Sequence, residues 1–305
     1  MTETAQQKIK RAWQRVDGVL LLDKPLGLTS NDALQKARRL FSAAKGGHTG
    51  TLDPAATGLL PLCFGEATKF SADLLDADKT YETTLQLGVT TDSGDAEGQV
   101  VARAPVAVDE AAVGRALPRF LGGIMQIPPM HSALKRNGRP LYELARQGVE
   151  VEREARAVTI HALDLLDFAG DCLSLRVRCS KGTYIRVLAA DLGRELGCGA
   201  HLTALRRVAV GDLDLAGAVT LAELEALEGE GRMARLLPVD ALLQSLPRIE
   251  LAGEAAERFS HGNPVDLPAG LSGKIRVYAD GRLIGVGEPG ADARLWPKRL
   301  VQLAA

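Results

Sequence analysis

The sequence predicts an α+β fold, in which strands and helices come in separate runs rather than in strict alternation. Two strand patterns at residues 158–168 and 172–179 are joined by the turn at 169–171, which indicates sheet pairing. Helical patterns lie elsewhere, at residues 109–117 and 187–196. This mixture favours a sheet flanked by helices.

The first elements follow from an apolar run and a helix-start signal. Residues 19–22 predict a buried strand that ends at the Asp-Lys-Pro sequence of residues 23–25. The polar residues 29–32 then offer N-cap oxygens to a helix. The apolar face of that helix consists of Leu34, Ala37, Leu40 and Phe41.

Proline, glycine and capping residues mark the ends of the later elements. Residues 81–87 alternate like a strand. The helix at 109–117 is expected to end or kink near Pro118, and the one at 187–196 to stop before Gly197. A further short helix is predicted after Thr220, because Thr220 and Glu223 form a capping-box pattern.

Two regions differ in character from this framework. Residues 124–150 are rich in Met, Pro, Lys and Gly, and they predict an excursion over the surface. Residues 274–279 and 282–288 flank Asp280 and Gly281, a strong hairpin signal. We therefore expect a polar extension at residues 1–15, a main domain at 16–248, and a small β-rich module at 249–305.

Composition limits the class of protein. The chain has 305 residues, of which 46% are hydrophobic and 25% charged, as in ordinary soluble globular proteins. No apolar run approaches the roughly 20 residues needed to cross a bilayer, and no signal-peptide core follows the N-terminus. We therefore predict a cytoplasmic protein without membrane association. The cysteines form no Cys-x-x-Cys pair, which argues against a zinc site or a disulfide framework; they are Cys63, Cys172, Cys179 and Cys198.

The charge distribution is more informative than the net charge of −1. Basic residues gather at 8–15, at 135–139 and between 176 and 207, whereas acidic residues concentrate at 223–230. One interpretation is a basic face on a nearly neutral molecule. The other is scattered, solvated charge.

The segment 46–58 combines an imidazole and a carboxylate with glycines and hydroxyls. Pro54 biases Asp53 toward an extended backbone, so Asp53 is predicted to lie on a loop. The apolar run 59–64 follows at once and would anchor that loop to the core. A functional site is one interpretation; a turn closed by the Asp53 side chain is the other.

Residues 47–58, with the sequence GHTGTLDPAATG, resemble the G-H-x-G-x-L-D-P-x-A-x-G signature of the TruB-type pseudouridine synthases. Further matching segments lie on either side of this signature and are arranged in the family's order. They are residues 18–25, 65–69, 78–81, 128–135 and 179–186. The resemblance runs from about residue 16 to the C-terminal end. It implies a mixed, mainly antiparallel sheet with flanking helices, an RNA-contacting insertion at 124–150, and a PUA-like RNA-binding module at 249–305.

The same resemblance implies an activity and a set of site residues. The family isomerises a uridine to pseudouridine in the T loop of tRNA, at position 55, after flipping the base out. Asp53 would be the nucleophile, attacking either the sugar or the base, and Tyr81 and Arg186 would complete the catalytic set. Residues expected to bind the substrate are His48, Tyr184, Leu205, Lys24 and Lys69.

The reaction requires no redox chemistry, so no cofactor and no metal are expected. The T arm of tRNA is the implied partner, with no protein partner required and a monomer as the functional unit. Two alternatives stay open. The chain could be an RNA-binding or tRNA-folding protein with secondary isomerase activity, or a guide-dependent pseudouridine synthase.

Overall fold

The computed structural model describes residues 12–132, 134–136, 138–268 and 270–302. These residues form two larger mixed sheets and two two-stranded sheets, with helices on the flanks, so the α+β prediction is confirmed. Among the described residues, no helix is both long enough and apolar enough to span a membrane.

The strands in chain order are β1 (Gly18–Lys24), β2 (Gly46–His48), β3 (Ala56–Phe64), β4 (Lys79–Leu87), β5 (Val89–Thr91), β6 (Val100–Arg103), β7 (Gly122–Gln126), β8 (Lys135–Arg136), β9 (Arg139–Pro140), β10 (Arg156–Ala169), β11 (Cys172–Cys179), β12 (Ala200–Val210), β13 (Leu213–Asp214), β14 (Leu236–Leu237), β15 (Arg248–Leu251), β16 (Val265–Asp266), β17 (Ile275–Ala279), β18 (Arg282–Pro289) and β19 (Arg294–Leu300). The α-helices are α1 (Ser30–Leu40), α2 (Ser71–Leu75), α3 (Glu110–Ala116), α4 (Leu141–Arg146), α5 (Ile185–Glu195), α6 (Leu221–Ala226), α7 (Gly229–Met233) and α8 (Gly253–Ser260). Short 3-10 helices span Gly65–Lys69, Leu117–Phe120 and Val239–Leu243.

The large sheet has the strand order β14-β1-β3-β12-β4-β11-β10-β7, with β2 and β13 attached to β3 and β12. Along this path β3 and β12 are parallel, and the other neighbours are antiparallel. The sheet is therefore mixed and mainly antiparallel, as the resemblance implied. Its centre, β3-β12-β4, lies directly under the loop that carries Asp53.

Apolar side chains buried on the strands and on the flanking helices hold the large sheet and its helices together. Strands β1 and β3 are buried along nearly their whole length, as their apolar sequences require. Helix α1 is capped by Thr29, whose side chain accepts a hydrogen bond from the Asp32 amide, and it buries Ala33, Leu34 and Ala37. Helix α5 buries Leu188, Ala189 and Leu192 against the part of the sheet formed by β4, β10 and β11.

The C-terminal strands form a separate five-stranded sheet with the order β15-β17-β18-β19-β16. Asp280 and Gly281 have positive φ angles of 50° and 71°, which the predicted tight hairpin between β17 and β18 requires. This sheet shares a buried apolar cluster with the large sheet, through Tyr278, Leu283 and Val286. The Lys274 ammonium also pairs with Asp73 at 2.5 Å.

Several predicted elements have different boundaries. Helix α3 changes into a 3-10 helix at Leu117, which continues through Pro118 to Phe120. The region 124–150 is not purely a surface excursion, because β7 belongs to the large sheet and Leu141 of α4 is buried. In the polar extension, Gln14 exchanges backbone hydrogen bonds with Ser42 and Ala44; residues 1–11 lie outside the described residues.

Candidate active site

Asp53 lies on the loop between β2 and β3, as predicted. The loop is held from below, because the Ser30 hydroxyl accepts from the Leu52 amide at 2.7 Å and donates to the Leu52 carbonyl at 3.1 Å. The Gly27 amide also donates to the Pro54 carbonyl at 2.8 Å. The Asp53 side chain nevertheless remains 49% exposed. The carboxylate is therefore held in place and accessible.

The Arg186 guanidinium connects two carboxylates. Arg186 lies in the first turn of α5 and its side chain is only 8% exposed. One nitrogen, Nη2, is 3.1 Å from Asp53 Oδ2 and donates to the His131 carbonyl at 2.7 Å. The other, Nη1, is 3.3 Å from Asp95 Oδ2. Because two of these groups are carboxylates, Arg186 has little freedom to move away from Asp53.

A cavity of about 230 Å³ opens beside Asp53. Tyr81 and Lys79 reach it from β4, Leu205 and Arg207 from β12, and Tyr184 from the N-cap position of α5. The first residues of α5, the loop segments at 50–53 and 131–132, and Ser180, Gly182 and Thr183 complete its wall. Gln126 fixes the backbone of Tyr184, since its amide donates to the Tyr184 carbonyl at 3.3 Å and accepts from the Tyr184 amide at 3.0 Å. The cavity therefore combines two aromatic rings, three aliphatic side chains and a carboxylate.

Burial governs the pKa values of the tyrosines and the histidine at this site. Desolvation raises the pKa of Tyr81, although the neighbouring Arg207 opposes this effect. Desolvation also raises the pKa of Tyr184. It lowers the pKa of His48, and Arg207 adds to that effect. Both phenols and the imidazole are consequently neutral at pH 7.

Three buried cations besides Arg186 surround the same site. Lys24 is fully buried and donates to the carbonyls of Pro25 and Leu28 at 2.9 and 2.8 Å. Burial lowers its pKa, whereas the negative charge of Asp53 raises it. Burial, followed by the charge of Arg207, lowers the pKa of Lys79 to about 8. Burial also lowers the pKa of Arg207, which is 1% exposed.

The structure brings most of the expected residues together. Asp53, Arg186, Tyr81, Tyr184 and Leu205 all line the cavity. His48 lines an adjoining groove of about 720 Å³, which shares Asp53 and Arg186 with the cavity.

The two expected lysines are placed differently. Lys24 lies behind the Asp53 loop, where it supports the turn that follows β1. Lys69 is not at the cavity: its ammonium donates to Glu66 at 2.6 Å and to the Leu300 carbonyl at 2.9 Å. It thus links the 3-10 helix Gly65–Lys69 to the end of β19.

Three site residues were missed in the sequence: Asp95, Lys79 and Arg207. Arg207 was counted among the basic residues of a possible surface, yet it is a direct cross-strand partner of Tyr81. Arg207 lies two residues after Leu205 on β12, and alternate strand residues share a face, but no sequence pattern predicted this strand. Lys79 has the same spacing from Tyr81 on β4.

Comparison with known proteins gives matches along nearly the whole chain. The family model described as TruB family pseudouridylate synthase (N terminal domain) matches residues 38–185. Models described as tRNA pseudouridylate synthase B C-terminal domain and as Pseudouridine synthase II TruB, C-terminal, match residues 186–244 and 247–301.

Curated relatives are similarly close. The tRNA pseudouridine synthase B of Dechloromonas aromatica (strain RCB) is 78% identical over 297 residues, which cover 97% of this chain and 99% of that protein. The protein of the same name from Aromatoleum aromaticum (strain DSM 19018 / LMG 30748 / EbN1) is 58% identical, with 99% and 98% covered.

Solved structures show the same fold. A Cbf5-Nop10-Gar1 complex contains a chain with a TM-score of 0.69 and 26% identity, with 94% of this chain and 85% of that chain covered. A chain of an H/ACA RNP bound to a substrate RNA has a TM-score of 0.72 and 22% identity, with the same coverage of 94% and 85%. The latter likeness concerns the fold alone.

Proposed function

Because the chain belongs to the TruB family of pseudouridylate synthases, we propose that it isomerises the uridine at position 55 in the T loop of tRNA, with Asp53 as the nucleophile. Its close curated relatives carry the name tRNA pseudouridine synthase B, and 97% of the chain matches one of them at 78% identity. The chain is accordingly an isomerase that converts uridine to pseudouridine in tRNA. The T-loop position and the role of Asp53 are the parts that we propose.

The observation that carries the proposal is the Asp53–Arg186 pair at the mouth of a cavity lined by two tyrosines. The pair is 3.1 Å apart, and only Asp53 is substantially exposed. An ordinary aspartate is ionised at neutral pH, which suits nucleophilic attack. Arg186, anchored by Asp95, would keep this carboxylate directed toward a bound nucleoside.

The reaction then needs few participants. The C1′–N1 bond of the uridine breaks, and its electron pair passes to the uracil ring. The ring turns, C5 bonds to C1′, and the ring loses the proton at C5 and gains one at N1. Asp53 can open this sequence by attacking ribose C1′, in which case the Asp53–C1′ bond breaks as C5 bonds to C1′. It can also attack uracil C6, in which case the Asp53–C6 bond breaks after the C1′–C5 bond has formed. In both cases one carboxylate supplies the nucleophile, whereas a glycosidase uses a pair of carboxylic acids.

The aromatic and apolar side chains have a separate role in this proposal. A uridine inside a folded loop cannot be reached without extrusion, so its lost stacking must be replaced. Tyr81 would stack on the flipped base and take part in proton removal at C5, and Tyr184 and Leu205 would close the cavity around it. His48, neutral in the adjoining groove, would fill the stacking space that the uridine leaves.

The proposal includes one partner, the T arm of tRNA. Residues 16–248 would be the catalytic domain, and the sheet of residues 249–305 would be a PUA-like RNA-binding module. We propose a monomer that requires no protein partner and no cofactor, and that acts in the cytoplasm. Lys24 would support the catalytic loop from behind, and the observed position of Lys69 fits a role at the domain junction better than one in the uridine cavity.

One alternative, a guide-dependent pseudouridine synthase, is tested with the purified chain alone. The purified chain is incubated with an unmodified tRNA transcript, and pseudouridine is mapped by carbodiimide modification and primer extension. Our proposal predicts a single stop at the T-loop uridine without any added RNA or protein. A stop elsewhere would contradict the T-loop assignment. The absence of a stop, with tRNA binding intact, would favour either guide dependence or a tRNA-folding protein.

A further inference from the structure

The floor of the uridine cavity carries two buried positive charges. Lys79 and Arg207, which we call the cationic floor, are 8% and 1% exposed and both line the cavity. Lys79 precedes Tyr81 by two residues on β4, so the two side chains lie on the same face of that strand. Arg207 lies directly opposite Tyr81 on β12, so all three side chains belong to one face of the sheet.

Neither charge has an acidic partner within salt-bridge distance among the described residues. Arg207 donates to the carbonyls of Leu59 and Gly50 at 2.8 and 3.2 Å. Lys79 donates to the carbonyls of Leu75 and Ala77 at 2.7 and 2.6 Å. The carboxylates nearest to Lys79 in sequence are otherwise engaged: Asp76 pairs with Lys181, and Asp78 with Arg178 and His161.

Burying a charge without an opposite charge is costly, and such groups gather where function needs them. Arg186 cannot supply a free positive charge at this site, because it already faces both Asp53 and Asp95. The cationic floor therefore leaves the cavity with an uncompensated positive potential. A group that becomes negative inside the cavity would be stabilised there.

We propose that Lys79 and Arg207 stabilise the negative charge that the uracil ring carries between cleavage of C1′–N1 and formation of C1′–C5. This inference rests on the proposed function. When C1′–N1 breaks, its electron pair is delocalised over N1, O2 and O4 of the ring, and it is consumed when the C1′–C5 bond has formed and a proton has moved from C5 to N1. Fixed charges in a water-poor site stabilise developing charge without having to reorganise.

This role can be tested by replacing uracil with a base that carries negative charge more readily. Fluorine at C5 withdraws electron density, so 5-fluorouracil carries negative charge more readily than uracil and needs less help from the protein. Two tRNA transcripts, one with uridine and one with 5-fluorouridine, are compared in single-turnover reactions. After nuclease digestion, chromatography separates the N-linked nucleoside from its C-linked product, and mass spectrometry measures the loss of the N-linked form. The readout is the ratio of the 5-fluorouridine rate to the uridine rate.

The expected results separate charge from packing. Arg207→Gln and Lys79→Gln should each slow uridine cleavage by about 10- to 100-fold. They should slow 5-fluorouridine cleavage less, so the rate ratio rises at least about fivefold above that of the wild type. Arg207→Lys and Lys79→Arg keep the charge and should keep the ratio, even where the absolute rate falls. Arg206→Met is the matched control, since Arg206 is half-buried on the same strand and pairs with Asp23 at 2.6 Å.

The inference is overturned if the glutamine variants slow both transcripts equally, or if the charge-conserving variants change the ratio as much. Lys79 and Arg207 test the claim independently. If the variants at one position do not fold, those at the other position still test it. Failure of the proposed function has a different signature: wild type cleaves neither transcript, or Asp53→Asn cleaves uridine at the wild-type rate.

Discussion

At the scale of single residues, the active site depends on how Arg186 holds Asp53. Arg186 makes ion pairs with Asp53 and Asp95 and donates to the His131 carbonyl, and it is nearly buried. An exposed tRNA phosphate would contact such a side chain poorly. The geometry therefore supports our proposal that Arg186 acts in the chemical step rather than in RNA affinity.

Arg186→Met should accordingly reduce turnover by at least about 100-fold and change the tRNA dissociation constant by less than about threefold. Single-turnover rates and filter binding measure the two effects. Arg194→Met on the same helix is the control, since Arg194 is 77% exposed. Equal losses of rate and affinity would contradict the role of Arg186 in orienting Asp53.

The pKa of Lys79 gives a pH dependence. The ammonium, whose pKa burial lowers to about 8, is charged below that pH and loses its charge above it. The groups around it include Cys179, with a pKa raised to about 11, and Tyr81, with a raised pKa, and both stay neutral in this range. The charged groups around Lys79 are Arg207, Asp76 and Asp78.

Single-turnover uridine cleavage should therefore fall by up to about tenfold between pH 7 and about pH 9. Lys79→Arg, whose side chain stays charged, should remove most of this fall. A wild-type rate that is unchanged over that range would contradict the functional part played by the Lys79 charge.

The residue scale also shows what the sequence could reveal. The role of Asp53 and its pairing with Arg186 were both expected from the family resemblance, which rests on contiguous motifs. Asp95 and Arg207 escaped notice because their partners are far away in sequence: Arg207 meets Gly50 and Leu59 from 157 and 148 residues away. Such contacts depend on strand order, which local patterns do not determine.

At the scale of elements, the junction of β3 and β12 positions the site. These strands are parallel, and Gly58 of β3 lies opposite Arg207 of β12. A Cβ atom at Gly58 would lie 2.2 Å from the Arg207 carbonyl oxygen, and the φ angle of Gly58 is +100°. A glycine is therefore required for β12 to bring Leu205 and Arg207 under the catalytic loop.

Gly58→Ala should lower the free energy of unfolding by about 3 kcal/mol or more, through steric overlap and backbone strain. Chemical denaturation measures the loss. Gly114→Ala is the control, because a Cβ there meets no atom within 4 Å on helix α3, and it should stabilise by about 0.5–1 kcal/mol. A loss at Gly58 no greater than about 0.5 kcal/mol would contradict the close packing of β3 on β12.

Local patterns predicted most elements that have clear periodicity or punctuation. The strand at 172–179, the capping box of α6 and the Asp-Gly hairpin are all confirmed. Strand β12 was not predicted. Its sequence AHLTALRRVAV mixes buried and exposed residues without regular alternation, because it is central in the sheet and contains register shifts. Tertiary context thus determines this strand.

At the scale of the whole molecule, a net charge of −1 coexists with an RNA substrate. The local distribution of charge explains how a nearly neutral protein can bind RNA. Several exposed cations lie beyond salt-bridge distance of any acidic group among the described residues, including Lys36, Arg39, Lys45, Arg139 and Arg146. Phosphate contacts dominate RNA affinity and depend on such local charges rather than on the total.

The tRNA affinity should therefore fall steeply with salt. With four phosphate contacts, the dissociation constant should rise about 100-fold between 50 and 200 mM monovalent salt. Filter binding across that range measures the slope. An affinity that is almost independent of salt would contradict electrostatic docking of the RNA backbone.

Tritium release from tRNA transcript labelled at uracil C5 reports directly on whether Asp53 is the nucleophile. Wild type is compared with Asp53→Asn, which keeps the size of the side chain and removes its charge, and tRNA binding is measured for both. We expect release from wild type at the T-loop uridine, and a loss of at least about 1,000-fold for Asp53→Asn with tRNA binding retained. Release by Asp53→Asn at a rate close to that of wild type would contradict the assignment of Asp53 as the nucleophile.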